Sequence, residues 1–349
     1  MLTIGTTQPV LVTGATGYVA GWIVRGLLEA GVTVHAPVRD PESTAKVGHL
    51  QDMSRELPGT LRLFQADLLQ SGSYGPAMQG CGLVFHTASP FSLRVKDPQR
   101  DLVDPALAGT RNVLETVNAM GGVRRVVLTS SVVAIYDDNV DVARAPQGRL
   151  DESVWNTGSS LDHNPYAYSK TLAERAAWEM AQAQSCWDLV VVNPSLVLGP
   201  ALNPRPSSES FALIKRLTSG AMRSGAPRWP MGVVDVRDLA QAHLAAGFTP
   251  GAEGRHIISG HESDLFEMAQ ILRDQFGDRF ALPTRVAPKW LVWLAAPFAG
   301  GGLTRQMVAR NVGHPWRSDT SKAVQAWGQS YRPLDDSLTD MVTQMYGDA

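Results

Sequence analysis

The pattern of hydrophobic and polar positions over the first forty residues predicts a strand, a glycine turn, a helix and a second strand. An apolar run at residues 9–13 stops at Gly14, and apolar residues then recur with helical spacing as far as Leu28. Gly31 ends this helical pattern, and a second apolar run follows at residues 32–38. Short apolar runs bounded by glycine are typical of buried strands, and spacings of three and four residues are typical of helices.

Strand-like runs alternate with longer segments through the first two hundred residues. These segments can hold crossover helices, which predicts an α/β fold with a Rossmann-type, doubly wound parallel sheet. Between Pro200 and Pro230, frequent proline and glycine replace any long periodic run, which indicates a smaller, loop-rich lobe. We predict a sheet-based domain at residues 1–195 and a C-terminal lobe at residues 196–349, with some late segments returning to the sheet. The other predicted strands are residues 61–64, 83–86, 126–129, 189–192 and 256–258, and the predicted late helices are residues 238–246 and 265–276.

Composition and charge narrow the class of protein. With 44% hydrophobic and 18% charged residues, the 349-residue chain has the composition of a folded globular protein. Its net charge of −2 provides no long-range field toward nucleic acid or an anionic membrane. The longest apolar stretch, residues 290–303, is shorter than the roughly 20 residues of a membrane span. We therefore expect neither nucleic acid nor a membrane as a partner.

The cysteine and histidine patterns predict no metal site. Cys81 and Cys186 stand far apart without a CxxC motif, and the eight histidines do not show metal-ligand spacing. The first residues also lack the basic-then-apolar pattern of a secretory signal, which favours a cytoplasmic protein.

The first turn has the pattern of a dinucleotide-binding loop. In a dinucleotide-binding loop, which connects a strand to a helix, the backbone N–H groups and the N-terminus of the helix face the pyrophosphate of the cofactor. Ala20 stands where the pattern has its third glycine, and its small side chain can still let the helix pack closely on the strand. The residues of this turn that we expect to bind the cofactor are Gly14, Thr16, Gly17, Tyr18 and Val19.

The end of the second strand determines the choice between NAD and NADP. An acidic residue there would bond the ribose 2′-hydroxyl and select NAD, but the chain has Val38, Arg39 and Asp40. The guanidinium of Arg39 can form charge-assisted hydrogen bonds to a 2′-phosphate, which favours NADP. A shift of one residue in register would instead bring the carboxylate of Asp40 to the ribose. After the third strand, Asp67 and Leu68 either lie at the adenine or, for Asp67, cap a helix.

Tyr166 and Lys170 carry the predicted reaction chemistry. Four residues apart on a helix, they share one face, so an ammonium group can lower the phenol pKa and make the tyrosine a proton donor. Ser131, at the carboxyl end of a strand, is expected to hold a substrate carbonyl, and Ser130 is the alternative for this role. Asn112 either anchors a group in a proton relay or packs a helix.

The glycine turn, the serine and the Tyr-x-x-x-Lys pair, in this order, resemble the extended form of the short-chain dehydrogenase/reductase superfamily. Longer stretches are similar to dihydroflavonol reductases, cinnamoyl-CoA reductases and related aldehyde and ketone reductases. These stretches are residues 34–40, 80–81, 84–90, 96–98, 166–174, 193–200, 234–243, 321–322, 327–328 and 331–333. Residues 132–165 and 200–230 do not match a specific reductase, and we expect them to form the substrate pocket.

The resemblance implies a role for each motif residue. Tyr166 would donate the proton, Lys170 would hold the nicotinamide ribose and lower the tyrosine pKa, and Ser131 would polarise the carbonyl. The cofactor would be NADP (NADPH), with Arg39 at its 2′-phosphate. The first domain would mainly bind NADP and carry the catalytic residues, and the lobe would mainly bind substrate. Further cofactor contacts are expected at Asp67, Leu68, Thr87, Ala88, Pro194, Leu196 and Val197.

The residues and the resemblance together predict an NADPH-dependent reductase of an aldehyde or ketone, which would also catalyse the reverse oxidation of an alcohol. Alternatives within the superfamily are a nucleotide-sugar epimerase or dehydratase and a hydroxysteroid dehydrogenase. An alternative of another class is a non-catalytic protein that senses NADP. The expected partner is a small carbonyl or alcohol molecule, and a monomer and a homodimer both agree with the sequence.

Overall fold

A computed structural model describes residues 4–89, 95–206, 208–299 and 302–347. Pro90, which closes one of the reductase-like stretches, lies outside these residues. The strands of the described ranges are β1 (Val10–Thr13), β2 (Thr33–Val38), β3 (Thr60–Gln65), β4 (Leu83–His86), β5 (Arg125–Thr129), β6 (Asp188–Pro194), β7 (Leu196–Leu198), β8 (Met231–Asp235), β9 (Gly254–Ile258) and β10 (His261–Ser263).

Helices connect these strands and continue to the end of the described chain. A π-helical turn, Gln99–Val103, leads into α4, and a 3₁₀ turn, Val132–Ala134, follows β5. The α-helices are α1 (Tyr18–Glu29), α2 (Thr44–Glu56), α3 (Gly75–Met78), α4 (Asp104–Met120), α5 (Asn139–Val142), α6 (Pro165–Gln182), α7 (Glu209–Thr218), α8 (Val236–Phe248), α9 (Leu265–Phe276), α10 (Lys289–Ala295), α11 (Arg305–Asn311), α12 (Ser321–Trp327) and α13 (Leu334–Tyr346).

A seven-stranded parallel sheet forms the centre of the protein. Its strand order is β3-β2-β1-β4-β5-β6-β9, and every neighbouring pair is parallel. This order confirms the predicted Rossmann-type, doubly wound sheet. From β1 the chain adds β2 and β3 on one side, and it then adds β4 and the later strands on the other side. Ligands bind in such sheets at the carboxyl ends of the strands beside this switch between β1 and β4.

Local sequence explains the first part of the sheet. All four residues of β1 are buried, and the strand stops because Gly14 takes a left-handed φ of 67° that favours glycine. Helix α1 then buries its apolar face, including Leu27 and Leu28, against the sheet. Gly31 follows the helix with a φ of 78°, as the sequence pattern predicted.

The C-terminal lobe contains more regular structure than the sequence predicted. Helix α7 lies between Pro200 and Pro230, where we expected no long periodic element, so that expectation was wrong. The Ser208 hydroxyl accepts the backbone N–H of Ser210 at the start of α7, and the helix buries Phe211 among its apolar residues. A separate three-stranded sheet, in the order β10-β8-β7, supports this lobe. Within the described ranges, no helix is both long and apolar enough to cross a membrane.

Candidate active site

The glycine turn and the end of β4 are joined by a set of short hydrogen bonds. The Thr13 hydroxyl accepts the backbone N–H groups of Thr87 and Ala88 at 3.1 and 3.0 Å. The Thr87 hydroxyl donates to the Thr13 carbonyl at 2.5 Å. A Cβ on Gly14 would lie 3.0 Å from the Cα of Ala88, so the two loops approach closely only because residue 14 is glycine. The structure thus brings Gly14, Thr87 and Ala88 together.

The start of helix α1 presents backbone donors at the same edge. The first N–H groups of a helix have no partner within the helix, and Thr16, Gly17, Tyr18 and Val19 span this start. The Tyr18 side chain points elsewhere, because its hydroxyl donates to the Gly199 carbonyl at 2.6 Å. Burial raises the pKa of this phenol well above its usual range. Tyr18 can therefore offer a cofactor only its backbone N–H.

Arg39 and Asp40 differ in how their side chains are used. Both residues are exposed directly after β2, and Arg39 takes part in no ion pair among the described residues. The Asp40 carboxylate instead accepts the backbone N–H of Glu42 at 3.1 Å. The Asp40 carboxylate is thus engaged in its own turn, whereas the Arg39 guanidinium is not paired in the described part of the chain, which favours Arg39 as the residue that selects the cofactor.

Asp67 and Leu68 lie in a turn and not at a helix start. The Asp67 carboxylate accepts the N–H of Leu69 at 2.8 Å, and helix α3 begins only at residue 75. Leu68 packs beside Gly109 of α4, where a Cβ would lie 2.7 Å from the leucine Cγ. The helix-capping alternative for Asp67 was therefore wrong.

Asn112 holds this same turn. Its amide donates to the carbonyls of Leu68 and Gln70, each at 2.9 Å, and its side-chain oxygen accepts the N–H of Gly72 at 3.0 Å. With these three bonds formed, the side chain packs α4 against the turn, as one of the two expectations held.

Tyr166 and Lys170 both lie on α6, close to its start. Tyr166 exposes 41% of its surface, yet the surrounding protein reduces the solvation of its phenol, and the Glu209 carboxylate adds to this effect. Together they raise its pKa to about 12. The expected lowering of this pKa by Lys170 was therefore wrong, because loss of solvation and Glu209 dominate. Burial lowers the pKa of Lys170 to about 8, against the opposing charge of Glu174.

The two serines at the end of β5 have different surroundings. Ser130 is buried, and its hydroxyl donates to the Glu174 carboxylate at 2.5 Å. Ser131 is half-buried, and its hydroxyl accepts the N–H of Val133 at 3.3 Å in the 3₁₀ turn that packs against α6. Only Ser131 therefore keeps a hydroxyl proton that is not already given to a carboxylate in this arrangement.

Glu174 is the functional residue that the sequence analysis missed. It lies one turn after Lys170 on α6, is buried, and pairs with the Arg255 guanidinium at 2.6 Å. Asn193, at the end of β6, donates to the same carboxylate at 2.8 Å and to the Ser131 carbonyl at 3.1 Å. One carboxylate thus fixes α6 relative to the ends of three strands. Its spacing from Lys170 was a visible signal, but its burial was not.

A small polar cavity lies behind Lys170. Its volume of about 20 Å³ is enough for one water molecule, and its lining offers several polar partners for one. Burial, followed by the charge of Lys170, lowers the pKa of His86 to about 3, so this histidine is neutral there. The polar side chains that line the cavity are those of His86, Ser89, Thr110, Thr129, Ser130, Lys170 and Glu174.

The segment after β6 follows the same edge of the sheet. Pro194 ends β6 and is buried, whereas Leu196 and Val197 are half-buried at the start of β7. The Ser195 N–H donates to the Ile258 carbonyl of β9 at 3.1 Å. Two strands therefore hold the segment that the resemblance places beside the nicotinamide.

A buried ionic cluster lies between the loop after Ser131 and the C-terminal lobe. The Nε2 atom of His163 is 2.8 Å from a carboxylate oxygen of Asp138 and 3.0 Å from one of Asp137. Arg310 pairs with Asp138, and the Asn311 amide donates to Asp138 at 2.5 Å. Burial and the neighbouring Asp138 raise the pKa of Asp137 to about 6. The sequence analysis predicted none of these contacts.

Comparisons with known proteins agree with this geometry. Residues 10–258 match the family described as "NAD dependent epimerase/dehydratase family". The chain is 42% identical to cinnamoyl-CoA reductase CAD2 of Medicago truncatula over 272 residues, which cover 76% of this chain and 80% of that protein. It is 34% identical to the bifunctional dihydroflavonol 4-reductase/flavanone 4-reductase of Malus domestica over 284 residues, which cover 80% and 79% of the two chains.

A solved structure extends the likeness to the whole chain. The crystal structure of Gre2 in complex with NADPH from Candida albicans is 27% identical, with a TM-score of 0.76, and the match covers 98% of this chain and 100% of that one. The predicted superfamily and its reductase-like branch are confirmed. The chain therefore belongs to the NAD dependent epimerase/dehydratase family, the extended short-chain dehydrogenases/reductases.

Proposed function

We propose that this protein reduces the carbonyl group of an aldehyde or ketone with NADPH, and that Tyr166 donates the proton to the carbonyl oxygen. The chain is an NADP-dependent oxidoreductase. The observation that supports carbonyl reduction at this site is the cavity lined by Lys170, His86 and Thr129. This cavity supports the proposal because Lys170 of α6 lines it together with residues at the carboxyl ends of β4 and β5, where ligands bind in such sheets.

The residues at this edge fit NADPH. A Cβ on Gly14 would fill the space between the turn and Ala88, and the start of α1 offers backbone N–H groups to a pyrophosphate. The exposed Arg39 is available for the 2′-phosphate, and Lys170 for the nicotinamide ribose. When bound, NADPH supplies the hydride for the reduction.

Three side chains have separate roles in the reduction of the carbonyl group. The Ser131 hydroxyl donates a hydrogen bond to the carbonyl oxygen and holds it beside the Tyr166 phenol. As negative charge develops on that oxygen, the phenol proton moves to it. The charged form of Lys170 stabilises the resulting phenolate, and Glu174 supports that charged form from one turn away.

The raised pKa of Tyr166, about 12, bears on the direction of the reaction because it disfavours the phenolate form. A phenol with a raised pKa is neutral and protonated at neutral pH, which is the form that reduction requires. Oxidation of an alcohol needs the phenolate, and loss of solvation together with Glu209 disfavours that form. We infer that the protein catalyses reduction faster at neutral pH and that oxidation gains at alkaline pH.

The position of Glu209 also bears on the substrate. Its carboxylate acts on the Tyr166 phenol from the start of α7, so an acidic group lies near the reacting oxygen. A neutral carbonyl compound fits this field better than one with a carboxylate next to the carbonyl.

We extend the proposal to the domains: residues 1–195 mainly bind NADP and residues 196–349 mainly bind the substrate. A cytoplasmic location, and the choice between monomer and homodimer, stay predictions.

The test is consumption of NADPH, and separately of NADH, followed at 340 nm over aromatic aldehydes, α-diketones, flavanonols and ketosteroids. We expect oxidation of NADPH with at least one carbonyl class and much slower oxidation of NADH. Product analysis should show one alcohol formed per NADPH consumed. Binding of NADPH without consumption across the panel would contradict the proposal and favour a sensor, and turnover of a nucleotide sugar without net consumption would favour an epimerase.

A further inference from the structure

The apolar segment around α10 forms an exposed surface that the proposed reaction does not use. Trp290 exposes 64% of its surface and Phe298 exposes 88%. None of the seven residues of α10 is buried. An apolar stretch of this length is found in a core helix or at a membrane interface, and this exposure excludes the core.

Exposed apolar side chains are concentrated in this segment. Among the described residues, 13 large hydrophobic side chains are exposed, and five of them fall between residues 290 and 298. Single exposed apolar side chains are ordinary, whereas a contiguous group marks an interaction surface. The five residues, which we call the α10 patch, are Trp290, Leu291, Trp293, Leu294 and Phe298.

The charge around the α10 patch is strongly positive. Residues 279–318 contain six lysines and arginines and no aspartate or glutamate; one of the six, Arg310, is paired with Asp138 and Asp141 outside this segment. The guanidinium of Arg305 lies 4.5 Å from the ring of Trp293. Arg285 and Lys289 are exposed at the start of the segment. The apolar surface is thus bordered by cations.

We propose that the α10 patch docks this protein on the surface of an anionic lipid bilayer. Exposed tryptophan and leucine on a short helix and phenylalanine just after it, with lysine and arginine beside them, match the interfacial region of such a bilayer. Indole rings are suited to the headgroup level because they are apolar with one polar N–H. The expectation that the protein has no membrane partner rested on net charge and on the length of this segment, and surface docking requires neither a net positive protein nor a span.

A second copy of the chain is a poorer occupant for the same surface. A two-fold interface would place each patch against its own equivalent. The exposed cations beside each patch, Arg285, Lys289 and Arg305, would then face their equivalents, and like charges across an interface disfavour association. Anionic lipid headgroups instead complement this charge.

The test is co-sedimentation of the full chain with vesicles of phosphatidylcholine alone and of phosphatidylcholine with roughly one quarter phosphatidylglycerol. We expect binding to the anionic vesicles and much weaker binding to the neutral ones. Combined Trp290→Ser, Leu294→Ser and Phe298→Ser should weaken binding at least about tenfold by removing the inserted apolar groups. Each basic residue near an anionic surface contributes about fivefold, so Arg285→Glu with Arg305→Glu should weaken binding roughly 25-fold or more.

The matched control is Leu69→Ser, which removes an apolar side chain of 56% exposure outside the patch and should leave vesicle binding unchanged. NADPH binding and thermal melting show that each variant is folded. The proposal is overturned if the wild-type chain does not bind anionic vesicles, or if the triple variant binds them equally well. It is also overturned if the patch variants abolish self-association, measured by sedimentation velocity, while vesicle binding is absent.

Discussion

The glycine-turn edge of the sheet and the C-terminal lobe are held together internally by different kinds of contact. On the sheet side, the glycine turn and the end of β4 are joined by hydrogen bonds at the ends of adjacent strands, as between Thr13 and Thr87. On the lobe side, ion pairs join residues far apart in the chain. Arg237 pairs with Asp340 at 2.6 Å, and Arg332 pairs with the buried Asp238.

We interpret this difference as one between a site for the cofactor, which is the same molecule in related reductases, and a site for the substrate, which varies among them. The glycine turn uses backbone groups whose position follows from strand order alone. The lobe side depends on individual charged residues, each of which a substitution can remove without disturbing the sheet. Changes on the sheet side should therefore alter cofactor binding, and changes on the lobe side should alter stability, pH dependence and substrate choice.

Substitution of Glu174 should have the largest effect on stability, because its carboxylate joins α6 to β9. Glu174→Gln would leave the buried guanidinium of Arg255 without a countercharge, and breaking one partner of a buried pair reduces the free energy of unfolding by about 3 kcal/mol. It should also lower the pKa of Lys170 below about 8. Urea denaturation and the pH dependence of kcat/KM measure these effects.

The control for this change is Glu179→Gln, an exposed glutamate on the same helix, which should alter neither quantity. The charged form of Lys170 is the active one, so activity should fall at a lower pH in Glu174→Gln than in the wild type. An unshifted pH profile together with a loss of stability would show that Glu174 is only structural.

Arg39 tests the sheet side. Arg39→Gln removes the charge-assisted hydrogen bonds to the 2′-phosphate, so the Kd for NADPH should rise by roughly tenfold to a hundredfold. The Kd for NADH, which lacks this phosphate, should not change. Fluorescence titration measures both, and Arg100→Gln, an exposed arginine with 72% of its side chain in solvent, is the matched control. An equal loss for both cofactors would contradict the role given to Arg39.

Asp137 tests the ionic cluster on the lobe side. Its pKa of about 6 lies above the usual value for a carboxyl group, so its ionised form destabilises the folded state at pH above 6 and this effect disappears as the pH falls toward 4. Asp137→Asn should therefore raise the free energy of unfolding by about 1–2 kcal/mol at pH 8. Near pH 4 the two proteins should be equally stable. Denaturation at both pH values checks this, and a variant less stable at pH 8 would contradict it.

Glu209 should have the smallest effect. Its charge is the second cause of the raised pKa of Tyr166, after burial, so Glu209→Gln should lower that pKa by less than about one unit. The alkaline rise in alcohol oxidation would then begin at a lower pH. The pH–rate profile for oxidation measures this shift, and a shift to higher pH would exclude the assigned interaction.

The sheet and the reactive pair were predictable because their signals are local. Apolar runs give strands, and a spacing of four residues places Tyr166 and Lys170 on one helix face whatever lies around them. Helix α7 was missed because proline and glycine flank it. The apolar residues Phe211, Ile214 and Leu217, at intervals of three, were the signal that would have found it.

The rest of the site depends on contacts that have no local signal. The pKa of Tyr166 was expected to fall beside Lys170, but it rises because of burial and a carboxylate 43 positions away in the chain. The partners of Glu174 come from β6, from β9 and from the residue that follows β5, and Asp138 and Arg310 are 172 positions apart in the chain. Such pairings follow from the folded arrangement and cannot be read from spacing.

The most direct test of the proposed reaction is the turnover of Tyr166→Phe with NADPH and the best carbonyl substrate. The account predicts that turnover falls by about 10²–10⁴-fold because the proton donor is gone, while the Kd for NADPH stays within about twofold. Tyr168→Phe, two positions along the same helix, is the control and should keep its activity. Full turnover by Tyr166→Phe would contradict the account.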